Sequence, residues 1–212
     1  MQKSKGLFIS FEGVEGCGKS TQAGMLAKWL RSRGHKVVVT REPGGTSISE
    51  KIRRILLDNR SQGMSDLTEL LLLQASRAQH LAQVIVPALK AGKVVICDRF
   101  ADSSTAYQGY GRGMDLEMVG RLNDIAVGGC WPGLTLVLDL AVEQGFSRAR
   151  GRRRMLDRME SQDLKFHRKV RNGFRAIAKR DPARVKLLDG SQLPDVVQAA
   201  VRQLVLNAMK KR

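Results

Sequence analysis

Residues 13–21 read GVEGCGKST, after LFISFE and before an amphipathic stretch. The residue types and their spacing fit the phosphate-binding pattern Gly-x-x-x-x-Gly-Lys-Ser. Gly13, Gly16 and Gly18 permit backbone conformations that a Cβ opposes, so successive N–H groups can turn inward around phosphate oxygens. A helix starting at Lys19 would add its positive N-terminal end. Lys19 supplies a mobile cation for β- and γ-phosphates, and Ser20 a hydroxyl ligand for Mg²⁺. The whole loop is therefore the expected ATP-binding segment: Gly13, Val14, Glu15, Gly16, Cys17, Gly18, Lys19, Ser20 and Thr21.

Three further stretches carry groups that could act on phosphate. REPGGT at 41–46 is either a rigid turn holding Arg41 and Glu42 at a sheet edge or an ordinary loop. DRF at 98–100 places Asp98 where it can hold Mg²⁺ or its water. Arg99 beside it can bridge two phosphoryl groups with its planar fork, or the two can form a structural ion pair. The segment SRARGRRRMLDR at 147–158 carries Arg148, Arg150, Arg152, Arg153, Arg154 and Arg158. Such density is expected to stay out of a core. It reads as a mobile lid that brings an arginine onto a transferring phosphoryl group, or as an exposed helix end.

These groups need a scaffold, and the pattern supplies one. Short apolar runs rich in β-branched residues predict strands at 7–12, 36–40, 93–97, 134–139 and 184–188. Helical periodicity lies between them, at 19–33, 47–58, 65–91, 116–127, 142–152, 162–180 and 194–209. Gly34, Gly63, Gly92 and Pro182 punctuate the boundaries. The alternation implies an α/β fold: a five-stranded parallel sheet with helices on both faces. Ligands in such sheets bind at the carboxyl ends of strands, where all the motifs above fall.

At 212 residues the chain reads as one domain, 1–212, with the lid at about 147–158. No apolar run reaches membrane-spanning length, and no signal-peptide core opens the sequence. Cys17, Cys97 and Cys130 lack paired or metal-like spacing, which suggests a reducing, cytoplasmic setting. The net charge is +17, and 19 basic against 6 acidic residues lie from Arg148 onward. Such a face attracts polyanions, but no recognition motif accompanies it, so nucleic acid is not expected.

The chain resembles the thymidylate kinases, along nearly its whole length. The resemblance rests on FEGVEGCGKST, REPGGT, ASR at 75–77, DRF with SSTAYQGYGRG at 103–113, LDL at 138–140 and DRME at 157–160. An arginine-rich lid paired with the acidic Glu15 resembles the bacterial form. The resemblance implies a P-loop kinase fold and transfer from ATP to dTMP with Mg²⁺, using Ser20 and Asp98 as metal ligands. It implies a homodimer. It places Lys19, Arg99, Arg148, Arg152 and Arg153 on the transferred phosphoryl group, and Gly190 with Asp189 and Ser191 near adenine. It places Glu15 near the deoxyribose 3′-hydroxyl, Arg53 and Arg99 on the dTMP phosphate, and Glu42 near that phosphate and the metal. Arg77 should donate to a thymine carbonyl, Ser104 and Gln108 should lie against the base, and Tyr107 should press where a 2′-hydroxyl would go. Ser104 and Gln108, four apart, can share a helical face.

One position departs from the family pattern. A Phe that stacks on thymine usually stands four residues before the Arg of the ASR segment, and here that position is Leu73. Leucine offers apolar contact without ring stacking. Two other functions stay open from residues alone: a kinase of another nucleoside monophosphate, and a nucleotide-dependent nucleic-acid-binding P-loop protein. The Asn-Lys-x-Asp signature of guanine-specific switches is absent.

Overall fold

The computed structural model describes residues 6–150 and 157–210. Five strands form a wholly parallel sheet: β1 (Phe8–Glu12), β2 (Val37–Arg41), β3 (Val94–Asp98), β4 (Leu134–Asp139) and β5 (Val185–Asp189). Their spatial order is β2-β3-β1-β4-β5. The chain runs outward from β1 to one side, then crosses to β4 on the other. The crevice beside β1 is thus the switch point at which such sheets bind ligands.

The strands lie within one residue of the expected spans. Central β1 is buried throughout, as a strand covered on both faces must be. Its alternation sorts two cores. Leu7, Ile9 and Phe11 join one cluster with Leu26 and Leu30, whereas Phe8 joins a second with Leu81, Ile85 and Leu89. Helices α1 (Lys19–Ser32) and α2 (Ser47–Leu57) follow β1 and β2. Thr46 caps α2, its side chain accepting from the Ser49 N–H.

The helix expected at 65–91 is interrupted. Helix α3 (Asp66–His80) passes through a π-helical stretch, Leu81–Ile85, into α4 (Val86–Lys90). Pro87 explains the break, because it has no N–H to donate and its ring crowds the preceding turn. A second element was not expected. After β3 come a short helix α5 (Ala101–Ser104) and a π-helical stretch, Thr105–Gly111. Both support cavity residues. The remaining helices match expectation closely: α6 (Leu116–Val127), α7 (Val142–Arg150), α8 (Leu164–Arg180) and α9 (Pro194–Lys210). Asp163 caps α8, accepting from the Phe166 N–H.

Candidate active site

The loop after β1 turns through positive φ at Gly13, Gly16 and Gly18. Two glycines make a close approach possible here. A Cβ on Gly16 would strike the Gly145 backbone, and one on Gly145 would strike the Glu15 carbonyl. The loop therefore lies flush against α7, at the foot of the arginine-rich segment. Gly145 carried no sequence signal, because the contact is formed by distant parts of the chain.

Lys19 Nζ donates to the Gly13 and Val14 carbonyls, at 3.1 and 2.8 Å, and reaches Cys17 Sγ at 3.6 Å. Val14 and Cys17 face the core rather than the cavity. Ser20 Oγ donates to Asp98 Oδ2, so the hydroxyl and carboxylate expected to hold metal are brought together. Gly190 lies behind the loop, within 3.5 Å of the Cys17 carbonyl if given a Cβ, and its own carbonyl accepts from Arg148 Nη1 at 2.9 Å.

A cavity of about 540 Å³ opens in front of the loop. Gly16, Gly18, Lys19, Ser20 and Thr21 form its phosphate-loop wall, and Arg148 reaches it too. The rest of its lining includes Glu15, Glu42, Arg53, Leu73, Arg77, Asp98, Arg99, Ser104, Tyr107 and Gln108. The cavity thus gathers the expected acceptor residues from six separate parts of the chain. Arg152 and Arg153 lie outside the described residues.

Arg99 links the two sides. Its φ is +73°, in the left-handed region that a bulky side chain seldom adopts, and such outliers cluster at functional sites. The turn sends its guanidinium back across the loop. Nη1 donates to the Gly13 carbonyl at 3.0 Å and Nη2 to Glu15 Oε1 at 2.8 Å. Tyr107 stacks beneath it, with the guanidinium 4.9 Å from the ring centroid, and donates its hydroxyl to the same Glu15 oxygen at 2.6 Å. Burial alone would raise the Glu15 carboxyl, but Arg99, His167 and Lys19 outweigh it and hold it well below its ordinary range. Glu15 is therefore ionised and fixed.

Two buried acids, Glu12 behind the cavity and Glu69 in its wall, gave no sequence signal as functional residues. Glu12 ends β1 and is fully buried. It accepts from the Phe100 N–H at 2.7 Å and from Ser103 Oγ at 2.6 Å, which braces the turn that carries Arg99. Burial, then Asp102, pushes its carboxyl up to about 8. Glu69 accepts from Gln108, Arg112 and Arg158. Buried His167 on α8 comes within 3.3 Å of Glu15 Oε2. Sequence placed Glu69 and His167 on helices but could not say that they turn inward.

Arg77 is 2% exposed and tightly held. Nε donates to Glu42 at 2.9 Å, Nη1 to Gln74 and Asn123 at 2.7 and 3.1 Å, and Nη2 to Ser104 at 3.0 Å. One Nη2–H of its five donors has no partner among the described residues. Glu42 is also within 3.1 Å of His80 Nδ1. Arg53 Nη1 donates to the Pro43 carbonyl at 2.9 Å. Leu73 is half-buried and belongs to neither core cluster. Ser104 ends α5 and Gln108 lies in the following π-helical stretch, yet both reach the cavity.

The arginine-rich segment needs one correction. Arg158 is not solvated: it is 3% exposed, donating to Glu69 at 2.6 Å and to the Leu56 carbonyl at 2.9 Å. A partner carboxylate and a helix-end carbonyl make its burial possible. Asp157 accepts from the N–H groups of Met159 and Glu160, shaping the turn around it.

A model of the thymidylate kinase family matches residues 11–201. The chain belongs to the thymidylate kinase family. The thymidylate kinase of Desulfovibrio desulfuricans is 47% identical over 97% of this chain and 98% of its own. That of Geobacter sulfurreducens is 47% identical over 98% of this chain and all of its own, 100%. The crystal structure of the Ehrlichia chaffeensis thymidylate kinase superimposes with a TM-score of 0.78 at 36% identity, covering 95% of this chain and 98% of that one. Membership makes this protein an ATP-dependent nucleoside monophosphate kinase, and the family's reaction is the phosphorylation of dTMP.

Proposed function

We propose that the cavity holds ATP and dTMP at once and passes the γ-phosphoryl group directly between them, yielding dTDP and ADP. One observation carries this reading: a single cavity is walled by the phosphate loop on one side and by Arg53, Leu73, Arg77, Tyr107 and Gln108 on the other.

The loop N–H groups and Lys19 hold the triphosphate. Arg53 and Arg99 hold the dTMP phosphate, and one of its oxygens attacks the γ-phosphorus in line as ADP departs. That phosphate is already anionic at neutral pH, so no strong general base is required. Lys19, Arg99 and Arg148, with Arg152 and Arg153, offset the charge spread over the transferring group. Ser20 and Asp98 offer oxygen donors that would hold Mg²⁺, and the ion would offset negative charge on the bound triphosphate. Glu15 takes the 3′-hydroxyl, and Tyr107, held by Glu15, closes the space beside C2′. Arg77 offers its remaining N–H to a thymine carbonyl. Leu73 covers the base face. Gly190 lies near adenine.

Ile48 and Ile55 on α2, with Leu67 and Leu71 on α3, are exposed apolar side chains on two helices packed together. They support a homodimer. No helix among the described residues is long and apolar enough to cross a membrane, and a cytoplasmic enzyme fits this.

An adenosine–thymidine dinucleotide bridged by five phosphates tests the two-sided cavity. It should compete with both ATP and dTMP. Competition with only one of them would place the two sites apart.

A further inference from the structure

Glu69 is a buried acid that phosphoryl transfer itself does not require. It lies on α3 four residues before Leu73 and eight before Arg77, so the three share one side of the helix, and all line the cavity. Its Oε1 accepts from Gln108 Nε2 at 2.8 Å. Its Oε2 accepts from Arg112 Nη2 at 3.0 Å and Arg158 Nη2 at 2.6 Å. Burial alone would raise its carboxyl, but Arg112, Gln108 and Arg158 keep it below the ordinary range.

An ionised carboxylate has no proton to donate. Gln108 must therefore turn its NH₂ group toward Glu69, because the opposite amide orientation would set oxygen against oxygen. The amide has only one end left. Gln108 Oε1 is buried and has no hydrogen-bond partner among the described residues. A buried acceptor of this kind is costly to leave unmet, and a ligand N–H would satisfy it. Leu73, Arg77 and Ser104 wall the same cavity.

We propose that Glu69 is a positioning residue that sets base specificity. By locking the Gln108 amide, it makes the cavity demand a base that presents a ring N–H, as a pyrimidine-2,4-dione does. Cytosine presents a bare acceptor nitrogen there and is refused. This rests on the reading that the cavity holds the acceptor nucleotide.

The test is kcat/KM of the full-length protein for dTMP, dUMP and dCMP, in the unmodified enzyme, Glu69→Gln and Gln108→Met. An amide at position 69 can accept or donate, so Gln108 is free to turn. The preference for dTMP over dCMP should fall at least about tenfold. The preference for dTMP over dUMP should stay within about twofold, since both offer the ring N–H. Gln108→Met should give the same selective fall. It leaves the Arg112 and Arg158 contacts of Glu69 in place, so it decides the matter if Glu69→Gln does not fold. An unchanged dTMP-to-dCMP ratio in a folded variant overturns the proposal, and so does an equal shift of both ratios. Failure of the unmodified protein to use dTMP would instead overturn the functional reading.

Discussion

Arg99 and Glu15 meet at 2.8 Å across the mouth of the phosphate loop, joining the turn after β3 to the loop after β1. The same Glu15 oxygen takes the Tyr107 hydroxyl. A cation expected on two phosphates is thus oriented by the acid expected on the acceptor sugar. The proposed roles of the two residues would link binding of the sugar to placement of the charge.

Tyr107→Phe removes one of the two donors to that oxygen and little else. Arg99 still serves that oxygen, so the loss is one hydrogen bond to a charged group, about 1.5–3 kcal/mol. Discrimination between dTMP and its ribo analogue should narrow, with the ATP KM nearly unchanged. Parallel kinetics with both acceptors measure this. Equal use of the two by the unmodified enzyme would remove the role assigned to Tyr107.

Lys19→Ala should leave the fold intact and lower kcat by about two orders of magnitude or more. Among the described residues its ammonium hydrogen-bonds within the loop, to Gly13, Val14 and Cys17, so its loss should scarcely move Tm. Circular dichroism and steady-state rates on one preparation decide it. Near-normal turnover in a folded variant would reassign the cation.

Leu73→Phe should strengthen dTMP binding by about 0.5–1.5 kcal/mol, the gain expected of ring stacking. Leu73 is half-buried, outside both cores and in the cavity wall, so a ring there should extend toward the cavity. Calorimetric titration with dTMP and a melting curve should show tighter binding at unchanged stability. A lower Tm with no gain in affinity would mean overpacking, and another residue would cover the base.

Glu12 predicts a pH dependence. Its folded carboxyl is pushed up to about 8, from an ordinary 4.5. The native state therefore binds this proton more tightly than the unfolded chain. The stabilisation is complete below the unfolded value and is lost as pH rises through the folded one. Glu12→Gln keeps an acceptor for the Phe100 N–H but cannot ionise. The fall in Tm from about pH 5 to about pH 9 should be shallower in the variant than in the parent. Equal slopes would locate the titration elsewhere.

Much of this was legible in the sequence. The strands and the phosphate loop follow from apolar runs and glycine spacing, which are local properties. The stretch 101–111 shows no apolar helical periodicity, since Ser, Thr, Tyr and Gly are weak helix formers, and only the four-residue spacing of Ser104 and Gln108 hints at a helical face. It is helical because packing overrides propensity: a Cβ on Gly111 would already meet Phe166 and Val170 of α8. Arg158 was misread for the same reason. Charge density says that an arginine prefers water, but Glu69 and the Leu56 carbonyl come from remote segments that composition cannot bring together. Part of the basic excess is likewise matched locally, as where Arg171 and Arg175 both clasp Asp139.

The central claim is that this cavity takes dTMP as the acceptor for a phosphoryl group from ATP. The most direct measurement is a screen of purified protein with ATP, Mg²⁺ and dTMP, dUMP, UMP or AMP, with each product identified by mass. The account predicts dTDP and ADP in equal amounts, at a kcat/KM for dTMP far above those for UMP and AMP. Preferred phosphorylation of UMP or AMP, or ADP release that no mononucleotide stimulates, would contradict it.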